Sequence, residues 1–223
     1  MAKTKTRRER VEDREIAIIQ AARGIFNDKG FGKTTMAGIA RAAGVADGTV
    51  YLYFKNKEDL ARAVLADFYG KLTETAQIGV DKREGARTKL KFLARHHMTN
   101  VMADWRVLEM LPLIDMQMDR YEGSELYKLN RAYVAVFDRV AKNAAGQGLV
   151  APDTPLWVLR DMFFGAMDYS ARTMMFVRQD DNINGFVDHL MGLLFSGASG
   201  GPSREEAVLA RFESLADRLE QKL

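Results

Sequence analysis

Apolar residues recur at helical spacing along most of the chain, and alternating runs of β-branched residues are missing. Helical spacing buries one side of a helix, whereas a half-buried strand alternates apolar and polar positions. The pattern predicts long helices over about residues 9–29, 57–80, 86–104, 124–145, 155–179 and 183–195. Over residues 105–121 it predicts short helical pieces interrupted at Pro112. The sequence therefore predicts an all-α fold.

A compact, punctuated pattern lies between the first two long helices. Thr34 or Thr35 can cap the start of a short helix with its hydroxyl. Gly44 tolerates the left-handed conformation that a sharp turn requires. A second short helix follows, with Val50 and Phe54 on its apolar side. Two short helices joined by a turn containing glycine are the sequence form of a helix-turn-helix DNA reader.

The charge distribution agrees with that interpretation. Residues 1–57 contain 12 basic and 6 acidic side chains. The whole chain has 33 basic and 30 acidic ones, so residues 58–223 contain 21 basic and 24 acidic side chains. A basic headpiece on an acidic body places the polyanion-binding surface at the N-terminus. Residues 1–8 form a basic tail that is either solvated and disordered or an arm that becomes ordered along DNA.

Composition also limits where the protein works. The 223 residues include no cysteine, which excludes disulfides, zinc-thiolate sites and thiol redox sensing. No apolar run approaches the roughly 20 residues that span a bilayer. The basic N-terminus lacks the apolar segment of a secretory signal. We therefore expect a cytoplasmic protein without a membrane partner.

The sequence contains no recognisable catalytic constellation. His96 and His97 are adjacent, so on a helix they point about 100° apart and cannot chelate as an i, i+4 pair would. His189 stands alone, and neither a Gly-x-Ser-x-Gly elbow nor a phosphate loop is found. We expect no enzymatic activity, no metal and no cofactor. A helical interaction module without DNA binding is the other alternative class.

The helices near 155–179 and 183–196 are apolar around most of their girth, and such helices need partners on two sides. One partner is the core of the body. The other is the same helix pair of a second subunit, which predicts a four-helix homodimer interface. The alternative is a deeply buried monomer core. Beyond a glycine- and serine-rich connector, residues 204–222 predict a charged amphipathic helix whose packing site stays open.

The run from Gly44 to Leu60, G-V-A-D-G-T-V-Y-L-Y-F-K-N-K-E-D-L, resembles the signature of the TetR family of bacterial transcriptional regulators. Phe31 and residues 34–43 match as well, so the specific motif covers about residues 14–60. The body resembles the family only in helix number and length. The resemblance implies a helix-turn-helix DNA-binding domain over 1–57, a helical ligand-binding and dimerisation domain over 58–199, and a linker with a C-terminal helix over 200–223.

Carried over by position, the resemblance implies that the third helix enters the major groove while its neighbours hold phosphates. The implied DNA-binding residues are Thr34, Thr35, Asp47, Gly48, Thr49, Tyr51, Tyr53 and Lys57. Asp47 is acidic where relatives often have a basic or neutral residue, which suits a cytosine amino group. Tyr53 stands where many relatives have histidine. Core packing is the alternative role for the two tyrosines.

The same run, together with F-F-G-A-M-D-Y from Phe163 to Tyr169, is most similar to the branch that represses fatty-acid degradation and responds to long-chain acyl-CoA. An apolar lining for the acyl chain would come from Met98, Met102, Trp105, Met110, Phe137 and Met167. CoA phosphates would meet Arg95, Arg131 and Arg172. Ordinary core packing is the alternative for each methionine, and a sensor of drugs or aromatic compounds controlling efflux is the competing function.

The resemblance also implies a mechanism. A homodimeric repressor would bind two half-sites about one helical turn apart. A ligand in the body would shift the fourth helix and change the separation of the two headpieces, provided that it binds the DNA-incompetent state better. Effector identity, operator sequence and the choice between repression and activation stay open at this point.

Overall fold

The computed structural model describes residues 6–114, 123–150 and 154–198, with side chains described as far as Phe195. Within these ranges the chain is helical and contains no strand, as the all-α prediction requires. The helices are α1 (Arg7–Lys33), α2 (Met36–Ala42), α3 (Asp47–Tyr53), α4 (Lys57–Asp81), α5 (Ala86–Ala103), α6 (Trp105–Leu108), α7 (Leu111–Ile114), α8 (Glu125–Gly146), α9 (Leu156–Thr173) and α10 (Ile183–Ala198). The predicted helix over 204–222 and most of its connector lie outside the described residues.

Local sequence signals set both ends of α1. The Thr6 hydroxyl accepts a hydrogen bond from the Glu9 amide at 3.2 Å, and the Glu9 carboxylate accepts one from the Thr6 amide at 2.6 Å, which is a capping box. Residues 7 and 8 of the basic tail are therefore helical, while 1–5 lie outside the described residues. Gly30 has φ +76° and breaks the last turn of α1. This confirms the predicted end of the regular helix.

The headpiece core and the body core share α4. This helix begins at Asn56, whose side chain accepts from the Asp59 amide at 2.7 Å. Its first half buries Leu60 and Leu65 against α1, α2 and α3, and its second half buries Phe68 and Leu72 in the body. One rigid helix thus links the two cores.

In the body, α5 lies at the centre and packs against α4, α8, α9 and α10. The rings of Phe137 on α8 and Phe163 on α9 are fully buried with their centroids 4.6 Å apart. Beside them Arg160 of α9 donates two hydrogen bonds to the Asp138 carboxylate of α8, both at 2.8 Å. Packing and a paired charge therefore hold α8 and α9 together.

A buried ion pair fastens the headpiece to the body. Asp104, only 3% exposed, stands immediately before α6. Its carboxylate accepts from Arg23 Nε at 2.7 Å and Nη2 at 2.5 Å, and from the Asn27 amide at 2.8 Å. Hydrogen bonding to Asp104 raises the pKa of Arg23 above its ordinary value. We call Arg23, Asn27 and Asp104 the interdomain clamp.

Several large apolar side chains are exposed on α9, on the segment that follows it and on α10. They are Trp157, Met162, Tyr169, Phe176, Val177 and Leu193. After Thr173 the helix continues as a π-helical turn, Met174–Arg178, and ends at Gln179 in the left-handed region. The predicted length of this segment is thus confirmed, with a change of helix type at its end. None of the described helices is long and apolar enough to cross a membrane.

Gly79 and Gly70, both on α4, offer a matched test of packing. A Cβ added at Gly79 would lie 1.9 Å from the Phe92 ring, whereas one at Gly70 would meet nothing within 4 Å. We expect Gly79→Ala to lower the free energy of unfolding by about 1–3 kcal/mol, because the core is overpacked. Gly70→Ala should raise it by about 0.5–1 kcal/mol, because alanine is the better helix former. Urea denaturation measures both, and equal effects would contradict the described packing of Phe92.

Candidate DNA-binding and effector sites

The turn between α2 and α3 has the geometry that its sequence predicts. Thr35, not Thr34, caps α2, because its hydroxyl accepts from the Gly38 amide at 3.1 Å. Gly44 has φ +68°, and the following Val45 amide reaches back to the Ala40 carbonyl at 3.0 Å. Two short helices are therefore joined by a sharp turn, as in a helix-turn-helix.

One face of α3 is open to solvent. Val50 is fully buried, whereas the solvent-exposed part of α3 carries Asp47, Gly48, Tyr51 and Leu52. Leu52 of this seven-residue helix is 83% exposed although its side chain is apolar. The sequence reasoning missed it, although its i, i+4 relation to Gly48 places it on this face. An apolar side chain here can contact a thymine methyl group in the major groove.

The other predicted DNA-binding residues differ in accessibility. Thr34 is buried, and its hydroxyl donates to the Gly30 carbonyl at 2.7 Å. Thr49 and Tyr53 are half-buried at the edges of the exposed face, and Thr35 is exposed. The structure therefore brings Thr35, Asp47, Gly48 and Tyr51 to the surface and gives Thr34 a local structural contact.

Lys57 is engaged within the headpiece. Its ammonium donates to the carbonyls of Phe31 at 2.8 Å and Thr34 at 3.0 Å, and it lies 4.3 Å from the centroid of the Phe31 ring. It ties the start of α4 to the loop that precedes α2. The sequence-based prediction gave it a phosphate contact, and the structure adds a stabilising role at the same place.

A cavity of about 670 Å³ opens in the body, within the usual range for small-molecule sites. Its walls are mainly apolar on the α4, α5 and α6 side and more polar on the α8 and α9 side. The apolar lining includes Phe68, Leu72, Val101, Trp105, Leu108 and Phe164. The polar lining includes His97, Asn130, Arg131, Tyr133, Arg160, Asp161, Asp168 and Arg172. A ligand with an apolar part and polar or anionic groups suits such walls.

The structure brings three of the nine predicted effector residues together. Trp105, Arg131 and Arg172 line the cavity. Met98, Met110, Phe137 and Met167 are instead buried in the two cores, and Met102 packs against the body core. Arg95 lies elsewhere, with its guanidinium 3.6 Å from Asp188 of α10. Apolar residues at helical spacing fill cores and line cavities alike, so the sequence could not separate the two.

A hydrogen-bonded relay in the cavity wall was not predicted. The His97 ring bonds Asp168 through Nε2 at 2.9 Å and the Tyr133 hydroxyl through Nδ1 at 3.2 Å. It stacks on the Tyr133 ring with centroids 5.8 Å apart. Burial, with a smaller effect of Asp168, raises the pKa of Tyr133 above its ordinary range. The three residues come from α5, α8 and α9, so no local pattern could have revealed them.

His96 faces a different neighbourhood. Its Nε2 lies 2.8 Å from the Thr75 hydroxyl of α4, and burial lowers its pKa to about 4. The two adjacent histidines therefore do not converge, as their spacing predicted. Within the described ranges no group of three or more histidine, aspartate and glutamate side chains is placed to hold a metal ion.

A helix-turn-helix with an exposed second helix, clamped to a helical body that encloses a ligand-sized cavity, defines a DNA-binding regulator. Residues 18–64 match the family model described as bacterial regulatory proteins, tetR family. Residues 66–197 match the model described as YsiA-like protein, C-terminal region. The chain belongs to the TetR family. The family consists of transcriptional regulators rather than enzymes, which confirms both the resemblance and the expected absence of catalysis.

Similar proteins include a fatty acid metabolism regulator protein of Bacillus subtilis, 26% identical over 180 residues that cover 81% of this chain and 93% of the relative. A crystal structure of the regulator FadR from Bacillus subtilis in complex with stearoyl-CoA is 25% identical, with a TM-score of 0.67, and covers 82% of this chain and 98% of its own. The structure of FadR from Bacillus halodurans is 23% identical, with a TM-score of 0.70, and the match covers 91% of this chain and 99% of the FadR chain. The last likeness shows the shared fold.

Lys57 makes contacts within the headpiece, whereas Lys55 faces solvent, so substituting each in turn tests the structural role of Lys57. Lys57→Met should lower the free energy of unfolding by about 1–3 kcal/mol, because two carbonyls lose a charged donor. Lys55 is exposed, and Lys55→Met should leave stability unchanged. Thermal unfolding and the salt dependence of DNA binding are measured for both. If Lys57→Met keeps its stability and only flattens the salt slope, as loss of a phosphate contact does, the structural role is wrong.

Proposed function

We propose that this TetR-family regulator is a homodimeric, cytoplasmic repressor that an acyl-CoA releases from its operator. The observation that carries the proposal is the cavity of about 670 Å³, whose wall includes Trp105, the residue next to the clamp carboxylate Asp104. The stearoyl-CoA complex of the Bacillus subtilis relative supports the ligand class. The alternative function, a sensor of drugs or aromatic compounds, is distinguished by the DNA-release experiment described below.

The cavity suits an acyl chain with its head group at the mouth. Phe68, Leu72 and Val101 give the chain apolar contacts. Arg172 is exposed on α9, and Arg131 is about two-fifths exposed on α8, so both guanidiniums can reach anionic oxygens outside the cavity. The acyl chain would thus lie among apolar side chains while the charged nucleotide stays in water.

The clamp offers a direct route from the cavity to the headpiece. Trp105 lines the cavity and packs edge-on against Phe176 of the π-helical turn, with centroids 5.8 Å apart. Asp104, its neighbour in sequence, holds Arg23 and therefore α1. A ligand that displaces Trp105 would move Asp104 and the headpiece with it. Such a ligand favours the state in which the two headpieces no longer fit the operator.

The headpiece would bind DNA through the exposed face of α3. Gly48 permits close approach to base edges, and Asp47, Leu52 and the half-buried Thr49 flank it. Thr35 at the start of α2 and the Tyr51 hydroxyl suit phosphate oxygens. One such face reads a single half-site, so tight operator binding requires two subunits.

The second subunit would pack on the apolar face of α9 and α10. Met162, Tyr169 and Leu193 are each more than half exposed in the single chain. Large apolar side chains exposed in this way are typical of a protein–protein interface. The same pair of helices from a two-fold related copy would cover it as a four-helix arrangement.

We expect DNA from upstream of the protein's own gene to bind with a steep loss of affinity as salt rises, because phosphate contacts release counterions. Palmitoyl-CoA should dissociate the complex. Asp104→Asn should keep DNA binding but require at least about tenfold more palmitoyl-CoA for release, because the link between Trp105 and α1 is weakened. Fluorescence anisotropy of labelled DNA measures both quantities.

Asp188→Asn is the matched control, since it weakens contacts with Lys91 and Arg95 far from the clamp. It should respond to palmitoyl-CoA like the unaltered protein. Failure of every acyl-CoA chain length to release the DNA would overturn the proposed effector, and release by aromatic compounds would favour the alternative sensor. Absence of salt-dependent DNA binding would overturn the regulator itself.

A dimer that depends on the apolar face should be sensitive to charge there. Met162→Glu should convert the protein to a monomer in analytical ultracentrifugation and weaken operator binding by about tenfold or more, because the two half-sites are no longer bound together. Leu113→Glu is the control, because Leu113 is 67% exposed, against 56% for Met162, but lies on α7 and not on α9 or α10. Dimers that persist in Met162→Glu and vanish in Leu113→Glu would place the interface elsewhere.

A further inference from the structure

The relay of Asp168, His97 and Tyr133 runs from the surface into the protein. The Asp168 side chain is 59% exposed, that of His97 is 8% exposed, and Tyr133 as a whole is 3% exposed. All three line the cavity. A row of hydrogen-bonded groups therefore leads from solvent to a buried hydroxyl in the cavity wall.

The relay begins near the charged mouth of the cavity. Asp168 and Arg172 are four residues apart on α9, so they lie on the same face one helical turn apart. Arg172 is exposed, and Phe68, Leu72 and Val101 form apolar wall elsewhere in the same cavity. Where an anionic head lies at Arg172 and an apolar tail lies inside, the junction between them falls close to the relay.

The Tyr133 hydroxyl has hydrogen-bonding capacity left over. A phenolic hydroxyl can donate once and also accept. Among the described residues its one hydrogen-bond partner is His97 Nδ1, at 3.2 Å. Asp168 accepts from Nε2 of the same ring at 2.9 Å, which fixes the ring orientation. A buried hydroxyl with one position open beside a cavity is suited to bind a polar atom of the ligand.

We propose that the Tyr133 hydroxyl, positioned by His97 and Asp168, binds an oxygen atom at the junction between the anionic head and the apolar tail of the effector. In an acyl-CoA that oxygen is the thioester carbonyl. This inference rests on the proposed function, since it assigns one atom of the proposed ligand to one residue.

The direction of the hydrogen bond depends on His97 and selects the oxygen chemistry. Because Nε2–H of His97 faces the Asp168 carboxylate, Nδ1 donates to the tyrosine oxygen only when the ring carries both protons, and the hydroxyl hydrogen is then free for a carbonyl such as that of a thioester. In the neutral ring Nδ1 accepts the hydroxyl hydrogen, and the tyrosine oxygen can accept only from a ligand hydroxyl. A saturated alkyl chain offers neither group, so a ligand without oxygen at this position leaves the hydroxyl half-satisfied in a buried site. The site therefore discriminates by an oxygen atom as well as by apolar area.

The test compares two ligands that differ at that oxygen. Palmitoyl-CoA has the thioester carbonyl, and S-hexadecyl-CoA has a methylene in its place. Isothermal titration calorimetry should show the unaltered protein binding palmitoyl-CoA about tenfold more tightly, the size of one net hydrogen bond. Tyr133→Phe should bind the two ligands equally. Thr88→Val, which removes an exposed hydroxyl at the start of α5 outside this cavity, should keep the tenfold difference.

The ratio of the affinities for palmitoyl-CoA and S-hexadecyl-CoA isolates the hydrogen bond of the Tyr133 hydroxyl, because a general loss of packing weakens the binding of both ligands alike. Asp168→Asn changes an exposed residue and should narrow the ratio without unfolding the protein, which provides a second variant if Tyr133→Phe is unstable. A ratio near one in the unaltered protein, or an undiminished ratio in both variants, overturns the assignment. If neither ligand binds the unaltered protein, the proposed acyl-CoA effector fails instead.

Discussion

The buried carboxylate of Asp104 determines how the two halves of the molecule are joined. An ionised side chain inside a protein is stable only when its charge is paired and its oxygens are hydrogen-bonded. Asp104 meets this condition through Arg23 and Asn27, both of which lie on α1. Removing its partner, as in Arg23→Ala, would leave the Asp104 charge buried with less compensation, a change that typically costs about 3–5 kcal/mol for a buried pair. The first helix of the headpiece and the start of α6 are therefore held as one unit.

The interdomain clamp gives the cavity its connection to the DNA-binding surface. Trp105 follows Asp104 directly and lines the cavity, and α4 runs from the headpiece core into the same cavity wall. Both routes end on the helices that support α2 and α3. The cavity wall and the headpiece are therefore joined by packed side chains and one ion pair.

The cavity combines apolar area with a few fixed polar groups. Phe68, Leu72 and Val101 supply contacts that are tolerant of ligand shape, whereas the relay through His97 has one defined geometry. Such a division is general in small-molecule sites, because apolar burial gives affinity and a small number of oriented hydrogen bonds gives selectivity. Arg131 and Arg172 add positive charge to the cavity wall.

Sequence alone determined the features that depend on neighbouring residues. The helices, the end of the first regular helix near residue 29, the left-handed turn at Gly44 and the start of α4 near residue 57 follow from periodicity and local hydrogen bonding, and the structure confirms them. The predicted ends of α5 and α8 agree within one or two residues for the same reason. Adjacent His96 and His97 were also correctly predicted to diverge.

Tertiary structure alone decided which side chains meet across the fold. Arg23 and Asp104 are 81 residues apart in sequence, and His97 and Asp168 are 71 apart, so no spacing rule links either pair. Met98, Phe137 and Met167 have the same helical pattern whether they fill a core or line a cavity, and only the packing of α5, α8 and α9 placed them in the core. Lys57 likewise became a structural contact because the Phe31 and Thr34 carbonyls lie beside it. Interactions between neighbouring residues determine the helices, and contacts between residues distant in sequence determine which side chains form the core, the cavity wall and the interdomain clamp.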